Sequence, residues 1–520
     1  MNFQKTYSLG FLIVFVFIFS LRAEQKLSGP NDNSHFGQSV AISGEWAVVG
    51  APENDNSNGT DAGAVFIYHF NGSGWDSTQM IKAYGGNAGD NFGSSVAISG
   101  NFIVAGAPSR QNGAGAIYIF QYNGSTWSQQ AVLVPSIIGI GDNFGVSIDI
   151  DGDYIIAGAD QYNFASGIAF IYSRQSGVWQ EQTQLQPDNL SYGWGFGKAV
   201  AIQGDAAAVG APGRDNGFES TTGTAYLFRR SGSDWVEEEQ FFPVALSGEQ
   251  TSDDDQLGIS VDIFQNYVIL GAIGDDQNGP FSDTGAAYIF FFNGSSWQLQ
   301  SKLKLSNHVN GDEFGRAVSI YGDYALVGVP RRDESGRNSG AVFAYLREDT
   351  SWVLKDTQTA ADIDSLGYFG CAVAVDSIYS VIGSGFDARG DSSAYQNAYV
   401  YHNENDLNLV HTVSALDQNL TSVSKFRLAQ NYPNPFNPNT TIRYQLPARS
   451  KARKGSVNSY VELNVYDILG KKVAQLVSAF QSPGEYTIHW NAQNFPAGVY
   501  FYTLTTDKGF SKTRKMILLK

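Results

Sequence analysis

A chain of 520 residues with 57 glycines, 13% aromatic and only 16% charged residues is too glycine-rich to be built of helices; it describes many short strands joined by glycine turns. The formal net charge of −17 argues against nucleic acid or an anionic membrane surface as partner of the larger part. A single cysteine, Cys371, excludes an internal disulfide, so stability must come from buried apolar surface.

Residues 1–23 contain Lys5, an apolar run from Phe11 to Phe19, and Ala23 before an acidic residue, which predicts a secretory signal peptide cut after Ala23. No later apolar run reaches membrane-spanning length, so no transmembrane segment is expected in the mature chain. Lys26-Leu27-Ser28 stands before Phe36 as Lys304-Leu305-Ser306 stands before Phe314, the position of the tail of a strand. From Phe36 the chain repeats. Phe36-Gly37, Phe92-Gly93, Phe144-Gly145, Phe196-Gly197, Leu257-Gly258, Phe314-Gly315 and Phe369-Gly370 recur at nearly even intervals. A second glycine follows the first at one invariant interval in all seven copies: Gly50, Gly106, Gly158, Gly210, Gly271, Gly328 and Gly383. Between the two, apolar and polar residues alternate around a short turn, as in SIDI-DG-DYIIAG, which predicts a tight hairpin.

A third strand rich in aromatic and β-branched residues opens at Gly63, Gly115, Gly167, Gly223, Gly285 and Gly340. A tryptophan follows each of these at a constant distance: Trp75, Trp127, Trp179, Trp235, Trp297 and Trp352. The seventh copy, near Asn397 to Tyr401, lacks both. Four strands in a period of about 50 residues cannot bury both faces of so small a sheet unless neighbours stack on it. The expectation is a seven-bladed β-propeller of four-stranded antiparallel blades over residues 24–416, with the tryptophans packed between blades. Two segments could supply the last strand of the ring: the one around Lys26, or Leu407 to Val413. The short turns should fall on one end of the disc and the long loops on the other.

The FG, GAP and GAVFIY segments resemble the FG-GAP repeats of integrin α-chain propellers and related bacterial proteins. The resemblance implies adhesion or the binding of protein or glycan. Many members carry a calcium loop, DxDxDG, between the FG and GAP strands; the short fixed interval between the two glycines leaves no room for it here. Its nearest imitation, Asp149, Asp151 and Asp153 around Gly152, reads as a hairpin turn with exposed carboxylates. No cofactor is expected, and calcium stays open only through the resemblance.

Residues 417–425 read as a polar linker. From Phe426 the balance reverses, with 13 Lys and Arg against 4 Asp and Glu, so this part carries +9 and the rest −26. TTIRYQL, YVELNVYD, GEYTIHW, GVYFYTLTT and FSKTRKMILL alternate and are parted by Gly, Pro or Asn, which predicts a small C-terminal Ig-like β-sandwich over 426–520. NYPNPFNPNTTIRYQLP, VYDILGKKV, PAGVYFYTL and the terminal KMILLK resemble the type A C-terminal sorting domain of bacterial type IX secretion, apart from a longer basic loop at 448–460. The resemblance implies the type IX machinery as partner of 426–520, and passage through the periplasm and outer membrane of a Gram-negative bacterium to the surface or the medium.

Six histidines fall at unrelated positions, and no HExxH, GxSxG or CxxC occurs. Cys371 occupies a place held elsewhere by Gln38, Ser94, Lys198 and Arg316, a tolerance that argues against a nucleophile. Asn71, Asn123 and Asn293 each open an NGS triplet that a hairpin turn explains. The candidate binding residues are polar members of the long loops: Asp55, Asp61, Arg110, Arg214, Asp215, Asp275, Asp276, Arg331, Arg332 and Asp333. The first reading is a non-enzymatic binding or adhesion protein whose long-loop face takes an unknown glycan, polymer or protein. The second is a hydrolase or lyase of extracellular polymer with its site at the axis, which two carboxylates and a base at the axial mouth would favour and a mouth of Gly, Ala and Val would disfavour. The third is a calcium-dependent adhesin, which identical melting with calcium and with chelator would exclude.

Overall fold

The computed structural model describes residues 24–27, 29–30, 34–213, 222–244, 254–275, 283–307, 309–363, 365–386, 392–403, 406–407, 409, 427–428, 431, 434, 436–446, 459–468, 471–481, 484–493, 495–506 and 511–519. The expected leader, the linker and most of the basic loop lie outside them. The chain divides into two compact units, Met1–His411 and Thr412–Lys520.

Among the described residues the first unit carries seven four-stranded antiparallel sheets. In the first, Val40–Ser43, Trp46–Ala51, Ala64–Phe70 and Trp75–Ile81 pair in chain order. Five sheets repeat that order from first strands at Ser95–Ser99, Ser147–Asp151, Val200–Gln203, Ser260–Phe264 and Ala317–Tyr321. The seventh joins Ala372–Val375, Tyr379–Phe386 and Ser392–His402 to a fourth strand from the other end of the unit, Gln25–Leu27, in the register Gln25↔Val400 and Leu27↔Ala398. Leu407 and Leu409, the other candidates for that slot, are buried instead between the sixth and seventh sheets.

Each sheet shares a buried apolar layer with the next. Ile103 and Tyr118 meet Val65 and Ile67 between the first two sheets, and the series ends where Leu27, Val381 and Val400 of the seventh meet Phe36, Val49 and Trp75 of the first. The sheets therefore close on themselves, an arrangement of the propeller kind.

The repeated glycines mark the points where backbone meets backbone. The first glycine of each copy donates its N–H to the carbonyl of the second, from Gly37 to Gly50 at 3.0 Å through Gly370 to Gly383 at 2.9 Å. That bond sits at the open end of the first hairpin, so an insertion would break it; this is why the interval between the two glycines never varies. A Cβ on each second glycine would collide with the carbonyl of the next sheet's first glycine: Gly50 with Gly93, Gly210 with Gly258, and Gly383 with Gly37. Ser39, Ser95, Ser147 and Ser260 add hydroxyls that donate to those same carbonyls at 2.7 to 2.8 Å.

The tryptophans are packing residues. Trp75 stands edge-on to Tyr379, Trp127 to Trp46, Trp179 to Phe102 and Trp352 to Tyr267, each against the second strand of the preceding sheet. Arginines cover aromatics of these second strands: Arg174 over Phe102 at 4.7 Å, Arg230 over Tyr154 at 4.4 Å and Arg347 over Tyr267 at 5.0 Å, held by Asp153, Asp205 and Asp323. The NGS asparagines are turn residues: Asn71 Oδ1 accepts the N–H groups of Ser73 and Gly74, as Asn293 Oδ1 accepts those of Ser295 and Ser296.

The second unit holds a three-stranded sheet of Arg427–Leu428, Asn439–Leu446 and Gly484–Asn491, and a four-stranded sheet ordered Lys472–Gln481, Ser459–Tyr466, Gly498–Thr506, Ser511–Leu518. Ile442, Tyr444, Trp490, Val461, Leu463, Tyr502 and Met516 form one core. Lys472–Gln481 is a strand that alternation does not announce, because its pairing shifts register at Leu463/Asn464 and Val465/Tyr466. Asn431, Asn434 and Phe436 act as a staple: Asn431 N–H donates to the Tyr502 hydroxyl at 2.7 Å, Asn434 Oδ1 accepts the Ile517 N–H at 2.8 Å, and Phe436 bonds both ways with the end of the chain's last strand.

Candidate functional site

Strand connectivity sorts the loops of the first unit. In the first six sheets the turns at one end hold two to four residues, while the second-to-third and sheet-to-sheet loops at the other end hold eight or more. The long loops are laced together: Gly115, Gly167, Gly223, Gly285 and Gly340 each bridge in parallel to the Phe or Leu that opens the next sheet. In the seventh sheet Gln396 serves instead, its Oε1 accepting the His35 N–H at 2.7 Å. Where they are described, the long loops thus share one face of the ring.

At the centre of that face lies a cavity of about 240 Å³. Each sheet contributes the residue just after its Phe-Gly or Leu-Gly pair: Gln38, Ser94, Val146, Lys198, Ile259, Arg316 and Cys371. Glu313 also lines it and pairs with Arg331 at 3.1 Å, while Lys198 Nζ reaches the buried Asp160 at 3.2 Å. The mouth is not the bare Gly, Ala and Val rim, and of these two carboxylates only Glu313 lines it; each is paired with a cation. Sequence reasoning passes over Lys198 and Arg316 because it reads the variability of their position as tolerance; in a repeat otherwise so fixed, that variability marks the residues that face open space.

Further along the axis the first strands expose Val40, Val96, Ile148, Val200, Val261 and Val318 to a second cavity of about 220 Å³, interrupted by Asp149 and Asp262. Asp149 accepts the Ile150 N–H at 2.8 Å and, across to the fourth sheet, that of Ile202 at 2.7 Å. Asp262 accepts Ile320 N–H at 2.8 Å and the Ser319 hydroxyl at 2.9 Å from the sixth sheet. The carboxylates of the supposed turn are therefore not all exposed: Asp149 braces the axis, Asp151 accepts the Gly204 N–H at 2.7 Å, and only Asp153 lies out in solvent, 3.6 Å from Arg174. Among the described residues no three His, Cys, Asp or Glu side chains converge as a metal site.

Burial pushes the Asp149 carboxyl up to about 7, with the Asp262 charge adding to it, and pushes Asp262 up to about 6. Both folded values exceed the ordinary carboxylate value of 3.8, so the folded state holds protons that the unfolded chain releases. The stability these two groups contribute is present below about pH 4 and is lost as pH rises through 6 and 7. Asp149→Asn removes the share of that dependence that belongs to Asp149: its melting temperature relative to wild type is expected to rise from pH 5 to about 7 and to level off above it, as thermal melts at fixed ionic strength would read. A constant difference would mean that Asp149 stays ionised throughout.

The candidates from the sequence fall into two kinds. Asp55 Oδ1 accepts the Asp61 N–H at 2.9 Å, and Asp333 Oδ1 accepts that of Asn338 at 2.7 Å; these shape exposed loops. Asp275 is buried, with Lys302 Nζ at 3.0 Å and the Tyr288 hydroxyl at 2.5 Å. Arg332 is buried on Asp312 at 2.8 Å and also meets Glu334 at 3.1 Å. Arg331 holds Glu313 at the mouth, and Arg110 lies 6.0 Å from the centre of the Tyr118 ring. Arg214, Asp215 and Asp276 lie outside the described residues. In the third sheet's loop, Asn163, Phe164 and Ala165 have φ of 50°, 58° and 60°, a conformation that bulky side chains rarely adopt. Phe164 is 83% exposed there and stands edge-on to Tyr192, itself 70% exposed.

A family model described as FG-GAP repeat matches residues 23–68, 75–120, 127–172, 179–228, 244–290 and 297–345, more than half of the chain. Each match starts before a Phe-Gly or Leu-Gly pair and ends in a third strand, so the family's unit is offset from the sheet; the copy at Phe369 is not matched. A second model, described as a secretion system C-terminal sorting domain, matches residues 430–519. No curated protein sequence matches the chain. Among solved structures, one assigned as a 6-phosphogluconolactonase from Bacteroides fragilis is similar at 12% identity and a TM-score of 0.40, over 63% of this chain and 86% of that one. An acylaminoacyl peptidase of Pyrococcus horikoshii is similar at 12% identity and 0.38, over 79% and 57%. Neither likeness bears on what this chain does.

Proposed function

Since the chain belongs to the FG-GAP repeat family and ends in a sorting domain that marks it for secretion to the cell surface or the medium, we propose that it is a non-enzymatic binding protein. Its first unit is read as a seven-bladed propeller over 24–416 and its second as an Ig-like β-sandwich over 426–520, joined by a linker and preceded by a cleaved leader. Type IX machinery recognises the second unit; the long-loop face of the first engages a glycan, polymer or protein outside the cell. Among the described residues no helix is long and apolar enough to cross a membrane.

The observation that supports binding over catalysis is the state of the acids and bases around the axial mouth: Asp160 and Glu313 are each committed to a cation. A general acid or base has to be free to exchange a proton with a substrate. Binding of the secreted protein to an array of polysaccharides and surface proteins, with turnover of the same polymers assayed in parallel, tests this; release of reducing ends or unsaturated products would replace the binding reading with an enzymatic one. Export has its own test. A chain ending at Val423 is expected to fold and accumulate in the periplasm, and its normal delivery to the medium would remove the role of the second unit.

A further inference from the structure

Lys198 and Arg316 face the same axial cavity from the fourth and sixth sheets. Arg316 has no side-chain hydrogen bond or ion pair among the described residues, and Lys198 keeps 40% of its side chain exposed beside Asp160. Lys198 and Arg316 line the cavity against the single carboxylate Glu313, and with the pairing partners Asp160 and Arg331 counted the balance is still positive, in a stretch of chain that carries −26 before Phe426. Screening confines the field of distant surface charge to about 8 Å at physiological salt, so an anion inside the cavity meets the local charge rather than the total. The loop that holds Asp160 continues into the left-handed turn at Phe164, and the segment that leads to Lys198 carries Tyr192; Gly193 N–H donates to the Phe164 carbonyl at 3.3 Å. Cation and exposed aromatic pair thus belong to one bonded loop cluster. An exposed aromatic pair on the loops that lead to a cation suits a chain of sugars bearing acidic groups, because one ring's C–H face stacks while the acid of another is paired.

We propose that the axial mouth is a subsite for an acidic polysaccharide, in which Lys198 and Arg316 take the carboxylate of a uronic acid or a sulfate ester and the Phe164–Tyr192 pair supports a neighbouring sugar. This rests on the binding reading above and names its ligand class. Calorimetry of the secreted protein with polygalacturonate oligomers, heparin oligosaccharides, neutral dextran and poly-glutamate tests it, using wild type, Lys198→Gln, Arg316→Gln, the double variant and, as a control, Lys82→Gln at an exposed lysine that donates to the Ser57 hydroxyl outside the mouth. Each mouth substitution should weaken the acidic oligosaccharide by about tenfold, the loss of one charge-assisted bond. Lys82→Gln should leave it unchanged, added salt should weaken wild type most, and the first two probes separate carboxylate from sulfate.

Equal affinity in the double variant, or binding of poly-glutamate alone, would overturn the assignment. A second readout needs no ligand. Cys371 lies in the same mouth, so the ratio of its alkylation rates by iodoacetate and by iodoacetamide, normalised to glutathione, should fall when Arg316 becomes Gln; an unchanged ratio would remove the positive field. Binding of neutral dextran that survives the double variant would leave the binding reading standing and this one refuted, whereas failure of every polymer and surface protein to bind wild type would remove both.

Discussion

Gly210→Ala is expected to cost the first unit about 4 kcal/mol or more, or to prevent its folding, because the added methyl has nowhere to go. The nearest atoms to a Cβ at Gly210 are the carbonyl oxygen, carbonyl carbon and Cα of Gly258, all backbone of the next sheet. A flexible side chain could swing aside; a main chain that itself bonds Gly258 N–H to Gly271 O at 2.9 Å cannot, without parting two sheets. The comparison that isolates this effect is Gly204→Asn, in the hairpin turn of the same sheet. Gly204 has φ of 58° and nothing within 4 Å of a Cβ, so asparagine there should cost about 1 kcal/mol or less. The matching turn of the fifth sheet already carries Gln265 at φ of 54°. Urea denaturation of the three proteins, followed by tryptophan fluorescence, gives the ranking. If Gly210→Ala unfolds with Gly204→Asn, the close passage of the two sheets is wrong.

The second large effect belongs to the strand that closes the ring. Leu27 is 1% exposed in the layer shared by the seventh and first sheets, and the Gln25 side chain bonds both the N–H and the carbonyl of Trp75 at 2.8 Å. Leu27→Asp places a carboxylate in that layer and should cost about 3 to 5 kcal/mol through lost packing and unpaired charge. Removal of residues 24–27 should go further, since it leaves the third strand of the seventh sheet as an open edge and uncovers Val400. Hydrogen exchange should then speed up first between residues 379 and 402 and in the first sheet. Lys26→Ala is the control; its ion pair with Asp362 at 2.6 Å is nearly half exposed and should contribute about 1 kcal/mol at most. Uniform exchange in the truncated chain would mean that some other segment holds the seventh sheet. The same geometry sets a limit on processing, because a leader cut after Ala23 leaves the closing strand whole while a cut after Leu27 would destroy it.

The periodic features were legible in the chain because each repeats a local physical demand. The two glycines at their fixed interval, the hairpin between them, the third strand and its tryptophan all answer constraints met within one sheet or at its border with the next, so seven copies printed the first two features and six of them the third-strand glycine and its tryptophan. The staple of the second unit was legible as a motif for a similar reason: Asn431, Asn434 and Phe436 must each meet a fixed partner. What tertiary structure alone decided involves residues that lie far apart in sequence. The closing strand, Gln25–Leu27, is too short to show periodicity, and it pairs with Ala398 to Val400 at the far end of the unit, so only pairing could choose it over Leu407 to Val413. The axial mouth takes one side chain from each of seven sheets, from Gln38 to Cys371, and no linear motif can record a ring whose members each sit in a different repeat. Asp149 looked like a turn carboxylate and proved to be a brace across the axis, since strand register fixes which way a side chain points, but only the neighbouring sheet determines what it meets there.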